Sequence, residues 1–581
     1  MMSERLTNLF LKRRGYTPQV LHDLNDGKHQ NLLNIDKLAD ILKQVHDRQS
    51  RIVVMPDFDA DGTTAGTLGF AGLSELGFKA GLYEPDETKG YGIHKDDIDI
   101  LLKRFPDVKY IISCDVGITC YEAFAYAYRK GIKVLITDHH EEEKESVKPM
   151  PLKCETIVDP CQLKETYPLR EICGAFVFWQ VLDYYAKKYE TPFKQEQISR
   201  LRVFAGIGTE GDRMPIVKEN RVLLKQTISL LRFIYNNGMP TVVQNLPGCP
   251  VYKRAFYGLF CLMQALNEVD KLRGGIDEDF LGFYVVPVFN SIKRMEQPMR
   301  IVFGTFFADK ANQENFARKM VETNSQRQDA IKYYDEVLTD EIDKGQQKNF
   351  PYVFTTKAQS GIIGLVAQKQ INRTGVPTFV INMDTLSGSG RTPSYFPAFS
   401  LFQDSDLVEI KGHEFAFGIQ FKDKDAISKF VKEVDKLTKK LSQNADQNKF
   451  DSDLTLTSDL STNKSIKKTD GVLDLDDCWD FYNDTQRLRP FGEGFDQPVV
   501  KVFFKTDRVE YKLMGQEKQH LKIILADGLE LIAWNKGDDL DKIQKHNFGV
   551  FYGYFSVNSF RGKISLQMVG DFGDMDKQKV A

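Results

Sequence analysis

The sequence contains no run of eighteen apolar residues, so no segment is expected to cross a bilayer as a helix. Its first residues, MMSERLTNLFLKRRGYTP, lack an apolar core followed by small residues, and no secretory leader is expected there. Cysteine is sparse and scattered: Cys114, Cys120, Cys154, Cys161, Cys173, Cys249, Cys261 and Cys478 form no CxxC pair. That spacing argues against a disulfide frame or a zinc site and points to free thiols in a reducing cytosol. A large net charge is also missing. Lysine and arginine number 78 against 81 aspartates and glutamates, giving −3 and a pI near 6.4. Proteins that coat nucleic acid are mostly basic, because phosphate neutralisation dominates their affinity. Broad, sequence-blind coating is therefore disfavoured, while a narrow channel lined by local basic strips is not. The sequence has no internal repeat.

What is present is the composition of a soluble globular protein, 42% hydrophobic and 27% charged, in 581 residues, too many for one core. Residues 1–48 carry helical spacing, as in Ile35-Asp-Lys-Leu-Ala-Asp-Ile-Leu. Three short apolar runs follow, Arg51–Met55, Val108–Cys114 and Gly131–Thr137, each expected as a strand and separated by helix-like segments. This alternation implies an α/β domain built on a parallel sheet. Ala311 to Gly345 is polar and helical, a connector in pattern. Residues 351–383 return to strand–helix–strand spacing, and Ser387-Gly-Ser-Gly-Arg391 follows as an expected turn. A Lys- and Asp-rich helix over 425–441 leads into a polar stretch, Ser442 to Asp477, expected as a linker or insertion. Short alternating segments after Pro490-Phe-Gly-Glu-Gly494 suggest a small C-terminal β-barrel.

Each of the three runs ends in acid: Asp57-x-Asp59-x-Asp61-Gly62, Asp115-Val-Gly117 and Asp138-His139-His140. Ligands of open α/β sheets sit beyond the carboxyl ends of the strands, where these motifs fall. A fourth acid, Asp212, stands in Gly208-Thr-Glu-Gly-Asp-Arg-Met-Pro-Ile216. Hard divalent cations take oxygen ligands, and imidazole joins them for manganese and other transition metals. Together the four motifs offer ligands for two cations about 4 Å apart, the arrangement that activates water and clamps a phosphate. Taken alone, a DxDxDG string also occurs in calcium loops and solvated turns. An EF-hand is excluded because Leu68, not Glu, stands at loop position 12.

In this order the four motifs resemble those of the DHH phosphoesterase superfamily. Within it the chain is similar to RecJ-type exonucleases over nearly its whole length. The resemblance extends to Leu11-Lys-Arg-Arg-Gly15, Gly90-Tyr-Gly92, Val158-Asp-Pro160, Glu219-Asn-Arg221 and Pro287-x-x-Asn290-x-x-x-Arg294. Gly361-Ile-Ile-Gly364, Gly388-Ser-Gly-Arg391 and Gly412-His413-x-x-Ala416-x-Gly418 resemble a DHHA1 substrate domain. Leu488-x-Pro-Phe-Gly-Glu-Gly494 and His520-Leu-Lys522 resemble a RecJ OB-fold.

The resemblance implies a DHH domain over 1–310, a connecting helix over 311–347, a DHHA1 domain over 348–443, a linker over 444–486 and an OB-fold over 487–581. It implies a 5′-to-3′ exonuclease on single-stranded DNA, acting in the cytosol in repair, recombination or replication, with its cleft between the DHH and DHHA1 domains. Two divalent cations are implied, Mn²⁺ first and Mg²⁺ second. Asp57, Asp59 and Asp115 would hold one, and Asp61, Asp115, His139 and Asp212 the other. His140 would contact the scissile phosphate or assist the leaving 3′-oxygen. Asp138 would orient its neighbours, or serve as a turn residue. Substrate contacts would come from Asn290, Arg294, Gly388, Ser389, Gly390, Arg391 and His413, with a tight turn and a solvated arginine as the alternative for Arg391. Phe504, Lys505, Tyr511, Lys522, Trp534 and Arg561 would offer stacking faces and cations in the OB-fold, or be core and surface residues. A single-strand-binding protein or helicase is the implied partner, and monomer the expected state. Departures from the family pattern are Lys89 where arginine is usual, Ser291-Ile-Lys293 in place of small residues, and Phe495 where asparagine is common. Rival readings are a DHH–DHHA1 phosphodiesterase for short oligonucleotides or cyclic dinucleotides, and a RecJ-like scaffold without catalysis.

Overall fold

The computed structural model describes residues 2–573, apart from 28–29, 85–91, 144–147, 239–249, 273, 346–350, 394–395, 397, 403–404, 445–468, 516–517 and 561–562. Lys89 with the Gly90-Tyr91 pair, Cys249 and Arg561 therefore lie outside the described residues, as does most of the polar stretch 442–477. The chain forms two compact units, one of residues 1–290, 299–321 and 468–581, the other of 291–298 and 322–467.

In the first unit, β1 (Arg51–Pro56), β2 (Ala80–Leu82), β3 (Val108–Cys114), β4 (Lys133–Thr137) and β5 (Thr156–Val158) make one sheet. Their order is β2-β1-β3-β4-β5 and every neighbouring pair is parallel. The three longer strands are the apolar runs. They need no alternation because helices cover the sheet and bury both faces. With β2 on one side of β1 and β3 on the other, the strand order reverses between β1 and β3, the place where such sheets bind ligands. The helix Ala60–Glu75 leaves β1 through the DxDxDG string and is buried along almost its whole length. Its small residues are a packing requirement. A Cβ on Gly69 would lie 2.0 Å from the Phe178 ring and one on Gly72 2.6 Å from Leu182, so the helix Gly174–Tyr189 rests directly on its backbone.

The helix Lys310–Asp343 runs for 34 residues from the first unit into the second. There β6 (Tyr352–Thr356), β7 (Thr378–Asn382), β8 (Ser387–Arg391), β9 (Val408–His413) and β10 (Ala416–Phe421) are ordered β6-β7-β8-β10-β9. Only β6 and β7 are parallel. Ser387–Arg391 is thus a strand and not the turn its composition suggested. It pairs with β7 on one side and β10 on the other, and its glycines admit the Phe417 ring, 2.4 Å from where a Cβ on Gly390 would stand.

The C-terminal sheet belongs to the first unit. It comprises β11 (Gly471–Val472), β12 (Val500–Lys505), β13 (Glu510–Met514), β14 (His520–Ile524), β15 (Glu530–Ala533), β16 (Phe548–Phe560) and β17 (Lys563–Phe572), ordered β11-β12-β16-β17-β15-β14-β13. This element starts earlier than the expected 487. β11 pairs with β12, and Cys478 and Phe481 of the helix Cys478–Thr485 share a core with Val502, Leu521 and Phe551. No helix among the described residues is long and apolar enough to cross a membrane.

Candidate metal centre

Parallel register builds the site. Pro56 pairs with Cys114, Cys114 with Thr137 and Thr137 with Val158, so the next residue of each strand falls in one row: Asp57, Asp115, Asp138 and Asp159. The ladder continues through them, with the amides of Asp57, Asp115 and Asp138 donating to the carbonyls of Cys114, Thr137 and Val158. Adjacent strands lie about 4.8 Å apart, so these carboxylates meet at the sheet edge. Asp115 turns out of β3 with φ of +62°, a conformation aspartate tolerates better than most residues.

The helix Ala60–Glu75 supplies the other two acids. Asp59 is its N-cap, its Oδ1 accepting from Gly62 N at 3.0 Å. Asp61, fully buried, is held by the N-terminus of Gly174–Tyr189, accepting from Gly174 N at 2.5 Å and Ala175 N at 3.1 Å. Asp212 caps the C-terminus of Arg202–Gly211. Glycines press on the cluster where no side chain fits. A Cβ on Gly62 would stand 2.6 Å from the Asp57 backbone, on Gly174 2.6 Å from Asp115, and on Gly208 2.1 Å from Asp61 Oδ1.

His139 Nε2 lies 3.0 Å from Asp115 Oδ1, 3.2 Å from Asp212 Oδ2 and 3.9 Å from Asp61 Oδ2. Yet Nε2 and Asp115 Oδ1 are both buried and neither has a hydrogen-bond partner among the described residues. Close approach without alignment is what ligands aimed at a common third point display. Ligand atoms of Asp57, Asp59 and Asp115 lie within 4.8 Å of one another, as do those of Asp61, Asp115, His139 and Asp212. Asp115 belongs to both groups, which are the two sets expected from the sequence. A further overlapping set joins Asp115, His139 and His140.

The electrostatics fit a cation. Burial, then Asp212, pushes Asp61 up to about 7. Burial, then Asp61, Asp59 and Asp212, holds Asp115 well above the usual carboxylate range. Burial lowers His139, but the carboxylates of Asp212 and Asp61 outweigh it and hold the imidazole at about 10. A dense set of carboxylates that must keep protons to coexist is a site whose charge a divalent cation balances.

Asp138 is no simple turn residue. It is fully buried, Oδ2 accepts from Ile118 N at 2.9 Å, and Oδ1 meets His139 N at 2.8 Å and His140 Nδ1 at 2.7 Å. Burial raises its carboxyl, but the His140 bond and charge, the Ile118 amide and His139 together outweigh this and leave it below the ordinary range. The contact orients the His140 ring and raises its basicity against the effect of burial. Asp159, which the sequence offers only within Val158-Asp-Pro160 and without a role, stands at the end of the same row. Burial, then Asp138, pushes it up to about 7, and its Oδ2 has no hydrogen-bond partner among the described residues. The available signal is its position directly after β5.

The expected substrate residues divide differently. Asn290 Oδ1 accepts from Ala60 N at 2.9 Å, anchoring the first turn of the helix that carries Asp61. Arg294 belongs to the second unit, with Arg391. Arg391 is half-buried and its Nη1 donates to Ser389 Oγ and Gly390 O, both at 2.8 Å. Burial, then Arg294, lowers it. Arg327, absent from the sequence expectations, is pushed down to about 10 by burial and by the same Arg294. Arg294 thus lies close enough to both Arg327 and Arg391 for its charge to be felt by each. Gly388 and Gly390 are strand residues packed by neighbours, and the side chain of His413, at the end of β9, lies outside the described residues.

In the C-terminal sheet, Phe504 is core and Lys522 is paired with Glu530 at 2.8 Å. Trp534 is exposed, edge-on to His520, whose Nδ1 accepts from Asn535 N. Tyr511, Lys512, Lys518 and Lys522 line a groove of about 570 Å³.

Comparison with known proteins accords with this geometry. Residues 51–205 match the DHH family, N-terminal domain, and residues 469–570 the RecJ OB domain. The chain thus contains a segment that matches the DHH family and a second that matches the RecJ OB domain. The relatives that the chain is similar to carry the RecJ name. It is 26% identical over 547 residues to the single-stranded-DNA-specific exonuclease RecJ of Bacillus subtilis, covering 91% of this chain and 62% of that protein. The Haemophilus influenzae protein of the same name is 23% identical, with 93% and 90% covered. This chain thus spans less than two thirds of the first relative and most of the second. Its fold is that of RecJ from Thermus thermophilus crystallised with Mn²⁺, with a TM-score of 0.69 at 19% identity, covering 97% of this chain and 75% of that one.

Proposed function

We propose that this protein is a metal-dependent exonuclease that hydrolyses single-stranded DNA to 5′-mononucleotides from the 5′ end, in DNA repair, recombination or replication. The observation that carries the proposal is the pair of ligand sets sharing Asp115, with its buried, unbonded Oδ1 facing an equally unbonded His139 Nε2. Asp57, Asp59 and Asp115 would hold one divalent cation, and Asp61, Asp115, His139 and Asp212 the other. Mn²⁺ suits a donor set of carboxylates with one imidazole, and Mg²⁺ is the second choice. When bound, the pair of cations supplies Lewis acidity that makes water a nucleophile at neutral pH and neutralises charge growing on the phosphoryl oxygens.

The chain's own residues do the rest. Asp115 sets the spacing between the two sets. Asp138 holds His140 at 2.7 Å in one orientation, and the other ring nitrogen would hydrogen-bond the scissile phosphate and favour departure of the 3′-oxygen. Arg294, Arg327 and Arg391, with Ser389, grip backbone phosphate, where bidentate guanidinium contacts are strongest. The C-terminal groove with Tyr511 and Lys518, together with the exposed Trp534 outside it, stacks and tracks the strand. The domain scheme of a DHH domain, a connecting helix, a DHHA1 substrate domain and an OB-fold belongs to this reading. So do action in the cytosol as a monomer and a single-strand-binding or helicase partner.

The test is a length series of single-stranded oligonucleotides with Mn²⁺. Turnover that persists on long strands supports the proposal. Cleavage confined to di- and trinucleotides would replace it with a short-oligonucleotide phosphodiesterase, and strand binding without hydrolysis in any metal with a scaffold.

A further inference from the structure

The loop that carries Asp212 does not stand by itself. From Asp212 the chain turns through Arg213, at φ of +54°, and runs to Val217 before the helix Lys218–Asn237 begins. Among the described residues, its backbone is anchored inward by Asp212 N on Gly208 O and Met214 N on Thr209 O. Its outer half is held by residues that lead into the C-terminal sheet. Ile216 N donates to Glu493 O at 2.7 Å. Gly492 packs so closely on Ile216 that a Cβ there would stand 2.6 Å from its Cγ1, and a Cβ on Gly494, at φ of +77°, would stand 3.0 Å from Val217 Cγ1.

That lead-in is itself clamped from beneath. Arg221 donates from Nη1 to Pro490 O and from Nη2 to Leu488 O, and its guanidinium lies 4.3 Å over the Phe495 ring, which stacks on Phe491. Arg489 meets Asp277 at 2.7 Å and Glu278 and Asp279 at 3.2 Å each, and Phe491 N donates to Glu278 Oε1 at 2.8 Å. One residue before Arg221, Asn220 Nδ2 reaches both Pro215 O at 3.1 Å and Glu171 O at 2.8 Å. Glu171 lies just upstream of Gly174, whose amide holds Asp61. Asp212 and Asp61, two carboxylates of one ligand set, are thus tied to a single pair of side chains.

Resting on the two-cation reading above, we infer that Asn220, Arg221 and the segment Leu488–Phe495 are positioning elements of the Asp61–Asp212 cation position, which makes the C-terminal barrel part of the metal site as well as a strand-binding surface. Residues that orient metal ligands without touching the metal change metal affinity by about 10–100-fold when lost.

The experiment titrates Mn²⁺ into the metal-free full-length protein, by calorimetry and by the electron paramagnetic resonance signal of free Mn²⁺. It compares the wild type with Arg221→Ala and with Gly492→Ala, which adds one methyl against Ile216. The expected result is two Mn²⁺ per chain in the wild type. In the variants one of them should be weakened about tenfold or more, with the other unchanged and kcat regained at high Mn²⁺. Lys518→Ala in the barrel groove should leave both Mn²⁺ affinities as they are and raise the KM for the strand. Should Arg221→Ala fail to fold, Gly492→Ala decides alone. Wild-type affinity at both positions in the folded variants would overturn the inference and leave the two-cation reading standing. A wild-type protein that binds no Mn²⁺ would overturn both.

Discussion

Stripping divalent cations should make the stability of this protein fall as pH rises, and returning Mn²⁺ should reverse the trend. Asp61 is pushed from an ordinary 3.8 up to about 7 by burial and Asp212. A carboxyl with a raised folded-state pKa favours its neutral form in the fold. Above about pH 4 the unfolded chain therefore binds fewer protons than the folded one, and stability drops until the folded pKa is passed. Three units at about 1.4 kcal/mol each bound the Asp61 contribution at ~4 kcal/mol. His139, raised to about 10, acts in the same direction at higher pH: its contribution is intact below its unfolded pKa and is lost as pH climbs through the folded value. Allowing half of the bound for relaxation, ~2 kcal/mol corresponds to roughly 2 °C in melting temperature for a unit of more than 400 residues. The assay is thermal unfolding at about pH 5.5 and about pH 8, with EDTA or with Mn²⁺. With EDTA the midpoint should be lower at the higher pH. With Mn²⁺ the shift should be larger at the higher pH, since binding displaces protons. Asp115→Asn, which removes a carboxyl held well above its usual range, should flatten the EDTA trend and abolish the Mn²⁺ shift. A Mn²⁺ shift independent of pH, or larger at low pH, would refute the reasoning.

Three further outcomes are expected. Asp59→Asn keeps the helix cap, because asparagine caps as well as aspartate; it should melt within about 0.5 kcal/mol of the wild type yet lose about 10²-fold or more in kcat, as unfolding and rate measurements in parallel would reveal. His140→Ala should retain Mn²⁺ binding while kcat/KM at saturating Mn²⁺ falls by about 10²–10⁴, and a loss under tenfold would remove His140 from the chemistry. Arg391→Ala should weaken strand binding and reduce the slope of log affinity against log salt by roughly 0.7, the value for one phosphate contact on a single strand. An unchanged slope in a binding titration would exclude that contact.

Much of the metal site is legible in the sequence because its carrier is a parallel sheet. β1, β3 and β4 are buried on both faces and so appear as continuous apolar runs, and the acids stand directly after them. β2 and β5, three residues each, are too short to rise above their surroundings, so nothing local marks Asp159 as a member of the same row. Ser387–Arg391 has the composition of a turn because glycine and serine are poor strand formers. Its strand is imposed by pairing on both sides and by the Phe417 ring, which no local pattern encodes. Asn290 has the look of a phosphate ligand, whereas its carbonyl oxygen serves Ala60 N; a side-chain target so far away in the chain leaves no periodic trace. Arg327 is hidden in a helix whose polar spacing is that of any exposed connector, although burial beside Arg294 sets it apart.

The most direct test of the central claim is digestion of one single-stranded DNA labelled at its 5′ end and, separately, at its 3′ end, with Mn²⁺ or EDTA, by the wild-type protein and Asp115→Asn. Mononucleotide should appear at once from the 5′ label and late from the 3′ label, and EDTA and Asp115→Asn should each abolish it. Immediate release from the 3′ label would contradict the polarity, and undiminished release with EDTA or by Asp115→Asn would contradict the two-cation site itself.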